Sequence, residues 1–316
     1  MSPEPKQVRI LVLRGGAIGD FILTLPALQK LRARWPEAHI ELLGYPHIAE
    51  LALAGGLIDR VASLDKAEMA RFFSRLPKFT DAQRDYVKSF DLVLSYLHDP
   101  EDIVRQNLLT AGARQVIYGS PILRGGHAIE HLLRPLETLA LYAEGAERPQ
   151  LALCAEFRQQ GHARLAARGL RGPVLAVHPG SGSPHKNWPV ERFIELLRAT
   201  RGDLAPLLVL GEADQPLASL LARELPDVAR LTGCTLVEVA GVLAACRAYV
   251  GNDSGITHLA AALGLPVVAL FGPTDPDAWG PRGPGVRIVQ APDGRLDEVP
   301  LAAVLATLRG LLAVPA

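Results

Sequence analysis

The chain has 316 residues, 49% of them hydrophobic, enough for two domains of ordinary size with separate cores. Lys plus Arg number 33 and Asp plus Glu number 33, so no global field draws the protein to nucleic acid, and any basic site is a local patch. The apolar runs fall well short of the roughly 20 residues a bilayer span needs. The N-terminus lacks the apolar core and small-residue cleavage site of a secretory signal. Cys154, Cys234 and Cys246 are odd in number and have no ligand spacing, which fits reduced thiols in a cytoplasmic protein.

Short Val-, Ile- and Leu-rich runs are predicted as strands at Val8 to Leu13, His39 to Leu43, Asp91 to Ser95 and Gln115 to Tyr118, with helical-looking sequence between them. A second series follows at Val174 to His178, Pro206 to Leu210, Ala248 to Gly251 and Pro266 to Phe271, separated by amphipathic stretches such as Val190 to Arg201 and Leu236 to Arg247. Strands alternating with helices mean parallel sheets with helical crossovers, so the fold class is α/β twice over. Ala155 to Gly172 reads as a short helix closed by GLRGP, a hinge, which sets the domains at 1–165 and 166–316. In the tail, Val299, Leu301, Val304, Leu305, Leu308, Leu311 and Leu312 recur at helical spacing and predict a closing helix. Ligands of open parallel sheets bind in loops after the strands, and candidate chemistry is sought there.

The first such loop is RGGAIGD, residues 14 to 20. It fails as a dinucleotide fingerprint, because GxGxxG needs glycine where Arg14 stands. Asp20 falls at the start of a helix, where the macrodipole favours its ionised form. It serves either as an ordinary N-cap or as a presented carboxylate. Pro26 is expected to kink or restart that helix. Lys66 to Lys88 holds Lys66, Arg71, Arg75, Lys78, Arg84 and Lys88 against Glu68, Asp81 and Asp85, with Phe72, Phe73, Phe79 and Tyr86 interleaved. This is either a solvated face or a surface for an anionic, lipid-linked partner at a membrane. HAIEH, residues 127 to 131, matches a zinc-protease pattern. A helix there would place His127, Glu130, His131, Arg134 and Glu137 on one polar face lining a cleft or solvent, the simpler reading, with substrate contact through His127 or Arg134 and zinc binding as the alternatives.

In the second half, HPGSGSPHKNW offers small residues Ser181, Gly182 and Ser183, whose backbone NH groups converge on an anion, with Lys186 as a point charge. No Walker loop is present. GNDSGITH, residues 251 to 258, places Asp253, Ser254 and Gly255 at the start of a helix, with His258 one turn on. TDPD, residues 274 to 277, contains the acid pattern DxD, which holds a divalent metal in some sugar-diphosphate sites.

Taken in order, GGAIGDFILTLPAL, HPGSGSPHKNWP and GNDSGITHLAAALGLPVVALFGPTDP resemble the signature segments of glycosyltransferase family 9, the ADP-heptose:lipopolysaccharide heptosyltransferases. The resemblance implies a GT-B fold: two Rossmann-like domains facing a central cleft, the N-terminal one for the acceptor and the C-terminal one for the nucleotide sugar. It implies inverting, metal-independent transfer of heptose from ADP-heptose to a lipopolysaccharide core acceptor, with no cofactor. Asp20 matches the general base, Lys186 the lysine that neutralises the diphosphate, and Asp253 the acid on the donor sugar. Ser181, Gly182, Ser183, Ser254 and Gly255 match phosphate donors, and His258 and Thr274 line the same loops. Glu212, with Asp214 close by, matches an acid on the ribose hydroxyls. Arg14, with Gly15 and Gly16, stands where some members carry a lysine near the diphosphate. Its partners are then a nucleotide sugar and a lipid-linked saccharide, for a monomer at the inner face of the cytoplasmic membrane. The alternatives are an epimerase or other enzyme on another nucleotide sugar, and a non-catalytic nucleotide-sugar-binding protein.

Overall fold

A computed structural model describes residues 7–313 and divides the chain into two compact units, Met1–Glu147 and Arg148–Ala316. In the first, five parallel strands, β1 (Arg9–Arg14), β2 (His39–Gly44), β3 (Arg60–Ser63), β4 (Leu92–Ser95) and β5 (Val116–Tyr118), stand in the order β3-β2-β1-β4-β5. In the second, six parallel strands, β6 (Val174–His178), β7 (Ala205–Val209), β8 (Ala229–Leu231), β9 (Ala248–Asn252), β10 (Val267–Phe271) and β11 (Val286–Gln290), stand in the order β11-β10-β9-β6-β7-β8. All register pairs are parallel, from Arg9 beside His39 to Phe271 beside Gln290. Central strands such as β6 are buried along their whole length because helices cover both faces. The predicted central strands are present with bounds shifted by a residue or two.

Three strands carry no signal in the sequence reading: β3, β8 and β11. All three are edges, short or largely exposed, as in VRIVQ of β11, so they lack the continuous apolar run of a two-sided strand.

The domain boundary lies at 147/148 and not near 165. The helix Ala155–Ala167 belongs to the second unit, where it packs on the helix Leu236–Ala244. Their backbones touch at two glycines: a Cβ on Gly161 would come within 1.9 Å of Gly241 O. Ahead of that helix, Leu151 N donates to Ala262 O at 2.8 Å, tying the strap down. GLRGP is therefore a turn inside the second unit and no hinge.

Pro26 does not restart its helix, which runs unbroken over Ile18–Arg34 with Pro26 buried. The cost of one missing N–H is offset by burial of Phe21, Ile22, Leu25, Leu28 and Leu31 on the same element. The closing helix spans Leu301–Ala313 and buries Val304, Leu308 and Leu311. Trp188, 1% exposed, anchors the second core: its indole Nε1 donates to Val299 O at 3.0 Å and its ring meets Phe193 edge-on at 5.1 Å. Among the described residues no helix is long and apolar enough to cross a membrane.

Candidate active site

Each sheet has one place where the strand order reverses: between β1 and β4 in the first unit, and between β6 and β9 in the second. Crevices at such points bind ligands because the loops diverge to opposite faces of the sheet. The three motifs fall on the loops after β1, β6 and β9.

After β6 the chain leaves as Pro179 to Asn187 and includes the single 3-10 turn Pro184–Lys186. Ser183 N donates to Ser181 Oγ at 3.1 Å, and that hydroxyl donates to Ser183 O at 2.7 Å, so the small-residue turn is preformed. Gly180 admits no side chain: its Cβ would lie 1.5 Å from Asp214 Oδ1. Gly182 faces open space. The Lys186 ammonium donates to Asp253 Oδ2 at 2.7 Å, with Lys186 half-buried and Asp253 buried. His258 Nε2 lies 3.9 Å from the other oxygen, Asp253 Oδ1.

Ser254 is the N-cap of the helix Gly255–Ala262; its hydroxyl accepts from Thr257 N and lies 3.1 Å from Thr257 Oγ1. Gly255 opens that helix, so its N–H is among those without an intrahelical acceptor. The structure thus brings Lys186, Asp253, Ser254, Gly255 and His258 together as a cation and a carboxylate beside free backbone donors. That set suits a ligand with both an anionic and a hydroxylated part.

Glu212 and Asp214 separate by burial. Glu212 is exposed at the start of the 3-10 turn Glu212–Asp214 and is free to meet a ligand hydroxyl. Asp214, 2% exposed, accepts from Gly211 N at 2.7 Å and sits 3.6 Å from His178 Nδ1. That ring nitrogen donates to Val209 O at 2.9 Å, so His178 ties β6 to the end of β7 beside Asp214. Thr274, half-buried, precedes Asp275, whose Oδ1 accepts from Asp277 N at 2.9 Å as the N-cap of Pro276–Trp279. The DxD pattern is therefore a helix cap. Among the described residues no group of three or more His, Cys, Asp or Glu side chains could hold a metal.

In the first unit, β1 ends at Arg14, and Gly15, Gly16 and Ala17 lead into the helix Ile18–Arg34. Gly16 takes φ of +96°, a left-handed value, and a Cβ there would crowd Asp20 Oδ2 at 3.1 Å. Asp20 occupies the third helical position and its Oδ2 accepts from Ala17 N at 3.0 Å. The carboxylate itself stays 38% exposed, with Oδ1 3.9 Å from Arg14 Nη2.

Arg14, proposed from the resemblance near the diphosphate, is mostly buried and makes two contacts within its own unit. It is 4% exposed; Nε donates to Thr24 Oγ1 at 2.9 Å and Nη2 to Asp20 O at 2.8 Å. Burial lowers its pKa, against the opposing pull of Asp20 and Tyr96. Through Nε and Nη2, Arg14 braces the first turn of the Asp20 helix.

HAIEH departs most from the expected polar face. His127 is not helical; it is the N-cap of Ala128–Leu133, 5% exposed, and its Nδ1 accepts from Ile129 N at 3.1 Å. Glu130 Oε2 accepts from His127 N at 3.2 Å, completing a capping box. His131 Nε2 donates to Ser120 O at 2.8 Å. The helix stops at Leu133, a 3-10 turn takes over at Arg134–Leu139, and Arg134 is exposed. The five polar residues do not share one helical face; of the zinc pattern, His127 and Glu130 make the cap and His131 bonds Ser120 O.

The family model for glycosyltransferase family 9 (heptosyltransferase) matches residues 121–299, more than half of the chain. Lipopolysaccharide heptosyltransferase 1 of Pseudomonas aeruginosa is 29% identical over 304 residues, covering 87% of this chain and 82% of that protein. Among solved structures, a family 9 glycosyl transferase from Veillonella parvula superposes with a TM-score of 0.81 at 21% identity, covering 96% of this chain and 97% of the other. The E. coli ADP-heptose lps heptosyltransferase II superposes with 0.75 at 21% identity, covering 96% and 98%. These likenesses establish the GT-B fold class. With the family match over more than half its length, the chain belongs to glycosyltransferase family 9 and is a glycosyltransferase.

Proposed function

We propose that the protein transfers heptose from ADP-heptose to a lipopolysaccharide core acceptor with inversion at the anomeric carbon and without a metal. The Met1–Glu147 unit binds the acceptor and the Arg148–Ala316 unit the donor. The observation that carries this reading is the Lys186 to Asp253 pair at the β6/β9 reversal, set against the N-terminus of Gly255–Ala262. The Pseudomonas relative is named for lipopolysaccharide and the E. coli structure for ADP-heptose, which supports the same substrates here.

In this mechanism the Asp20 carboxylate takes the proton from an acceptor hydroxyl as that oxygen attacks the anomeric carbon opposite the leaving diphosphate. Bond formation on one face and cleavage on the other inverts the centre. Negative charge gathers on the diphosphate, where Lys186 and the amides of Ser254 and Gly255 receive it, with the Ser181 to Ser183 turn contributing further donors. Lys186 takes the charge-neutralising part that a metal plays elsewhere, and the reaction needs no cofactor beyond the nucleotide sugar. Asp253 accepts from hydroxyls of the sugar, Glu212 from the ribose, and His258 and Thr274 border the pocket.

The acceptor is lipid-linked, and the Lys66 to Lys88 segment supplies a surface for it. Phe73 and Leu76 are 48% and 89% exposed, among Lys66, Arg71, Arg75 and Lys78. Apolar side chains set in basic surroundings suit an anionic membrane surface, where the protein works as a monomer on the cytoplasmic side.

The test is to supply ADP-heptose with a purified core acceptor in the presence of a chelator and to follow ADP release and product mass. Transfer of one heptose, with inverted anomeric configuration by NMR, is the expected result. Turnover of the nucleotide sugar without acceptor, or loss of transfer on chelation, overturns the reading.

A further inference from the structure

Asn252 lies at the end of β9, 0% exposed, and makes no approach to solvent. Its side-chain amide nonetheless joins three separate points of the neighbouring loop. Nδ2 donates to Pro179 O at 2.7 Å and to Asn187 Oδ1 at 3.4 Å, while Oδ1 accepts from Trp188 N at 2.9 Å. The Asn252 carbonyl is held in turn by the Thr257 hydroxyl, which sits 3.0 Å from Tyr249 OH. Pro179 is where the loop leaves the sheet, and Trp188, locked in the core, is where it returns. One buried amide therefore closes the neck of the 180–187 loop.

We infer that Asn252 is the positioning residue of the donor site, fixing the Lys186 ammonium relative to the Asp253 carboxylate. Lys186 stands two residues before the neck on one side, and Asp253 follows Asn252 directly on the other. A side chain that donates at one end and accepts at the other is required, because the neck presents a carbonyl and an N–H. Aspartate would turn an oxygen onto Pro179 O, and an apolar residue would leave both backbone groups buried without partners. The neck is short and covalently adjacent to both charged groups, so loosening it frees the ammonium to leave the place where phosphate charge develops.

This inference rests on the proposed nucleotide site, and its test separates the two. ADP affinity is measured by calorimetry for the wild type, N252A, K186A and the double variant. Asn252→Ala is expected to raise the Kd for ADP by about tenfold or more with Lys186 present, and by less than about twofold in the K186A background, since coupled residues are non-additive. Equal factors in both backgrounds, or no change in either, overturn the inference. If N252A does not fold, N252D keeps the acceptor for Trp188 N, loses the donor to Pro179 O, and takes its place in the cycle. Hydrogen exchange of the 180–187 amides reads the clamp with no ligand present and is expected to quicken about tenfold or more in the variant. Unchanged exchange overturns the clamp; quickened exchange in a protein that never binds ADP overturns the nucleotide site and leaves the clamp standing.

Discussion

The Lys186 ammonium and the Asp253 Oδ2 oxygen lie 2.7 Å apart across 67 residues of sequence, the cation half-buried and the carboxylate buried. Each neutralises the other at a point where a diphosphate would claim the cation. Lys186→Ala is expected to lower kcat/KM for transfer by about 10² to 10³, the scale of losing one preorganised donor to developing charge. It also strands the Asp253 carboxylate, so a loss of stability of about 1 to 3 kcal/mol accompanies it. Steady-state kinetics and denaturant unfolding check both. Wild-type kinetics in the variant would remove Lys186 from the reaction.

Asp20 Oδ2 caps Ala17 N at 3.0 Å while the carboxylate remains 38% exposed, as the proposed base requires. Asp20→Asn keeps an oxygen for the cap and removes the base. Transfer is expected to fall by about 10² to 10⁴, the usual worth of general-base help, with ADP affinity unchanged. Calorimetry beside product assays separates these effects, and transfer at the wild-type rate would end the base assignment.

His127 caps its helix through Nδ1, so His127→Ala is expected to cost about 0.5 to 2 kcal/mol of stability and leave transfer intact. Asn or Ser at the same position restores most of the loss, because either oxygen accepts from Ile129 N. Loss of activity in His127→Asn at normal stability would show that the imidazole contacts substrate.

Burial pushes the Cys246 thiol up to about 12, and its sulfur lies 3.3 Å from Val242 O. Cys234 is raised too, by burial first and then by Glu238. A raised pKa leaves less thiolate, about one part in 10⁴ for Cys246 at pH 8. Exposed Cys154 is expected to react first with a thiol reagent in the native protein, and half-buried Cys246, with its raised pKa, last. Mass mapping of the labelled sites checks the order, and labelling of Cys246 as fast as Cys154 would contradict its raised pKa.

The sequence alone determined the α/β class, the central strands of both sheets and the three loops after strands that hold the candidate site. Two-sided burial writes a continuous apolar run that needs no partner to be read. It also marked Lys186, Asp253 and Asp20, because small residues after a strand and a carboxylate at a helix start have local causes. Edge strands such as β3 and β11 left no such run, since one side and one edge of each lie open. The rest turned on distant contacts. Gly161 against Gly241 assigned the Ala155–Ala167 helix to the second unit, and burial turned His127 from a ligand candidate into a cap. Burial likewise told Glu212 from Asp214, two acids that look alike two positions apart. Asn252 lay in plain view beside Asp253, yet its partners Pro179 and Trp188 are 73 and 64 residues away. A side chain's chemistry is visible in one dimension, but whether it faces solvent, a ligand or a buried carbonyl depends on what the fold packs against it.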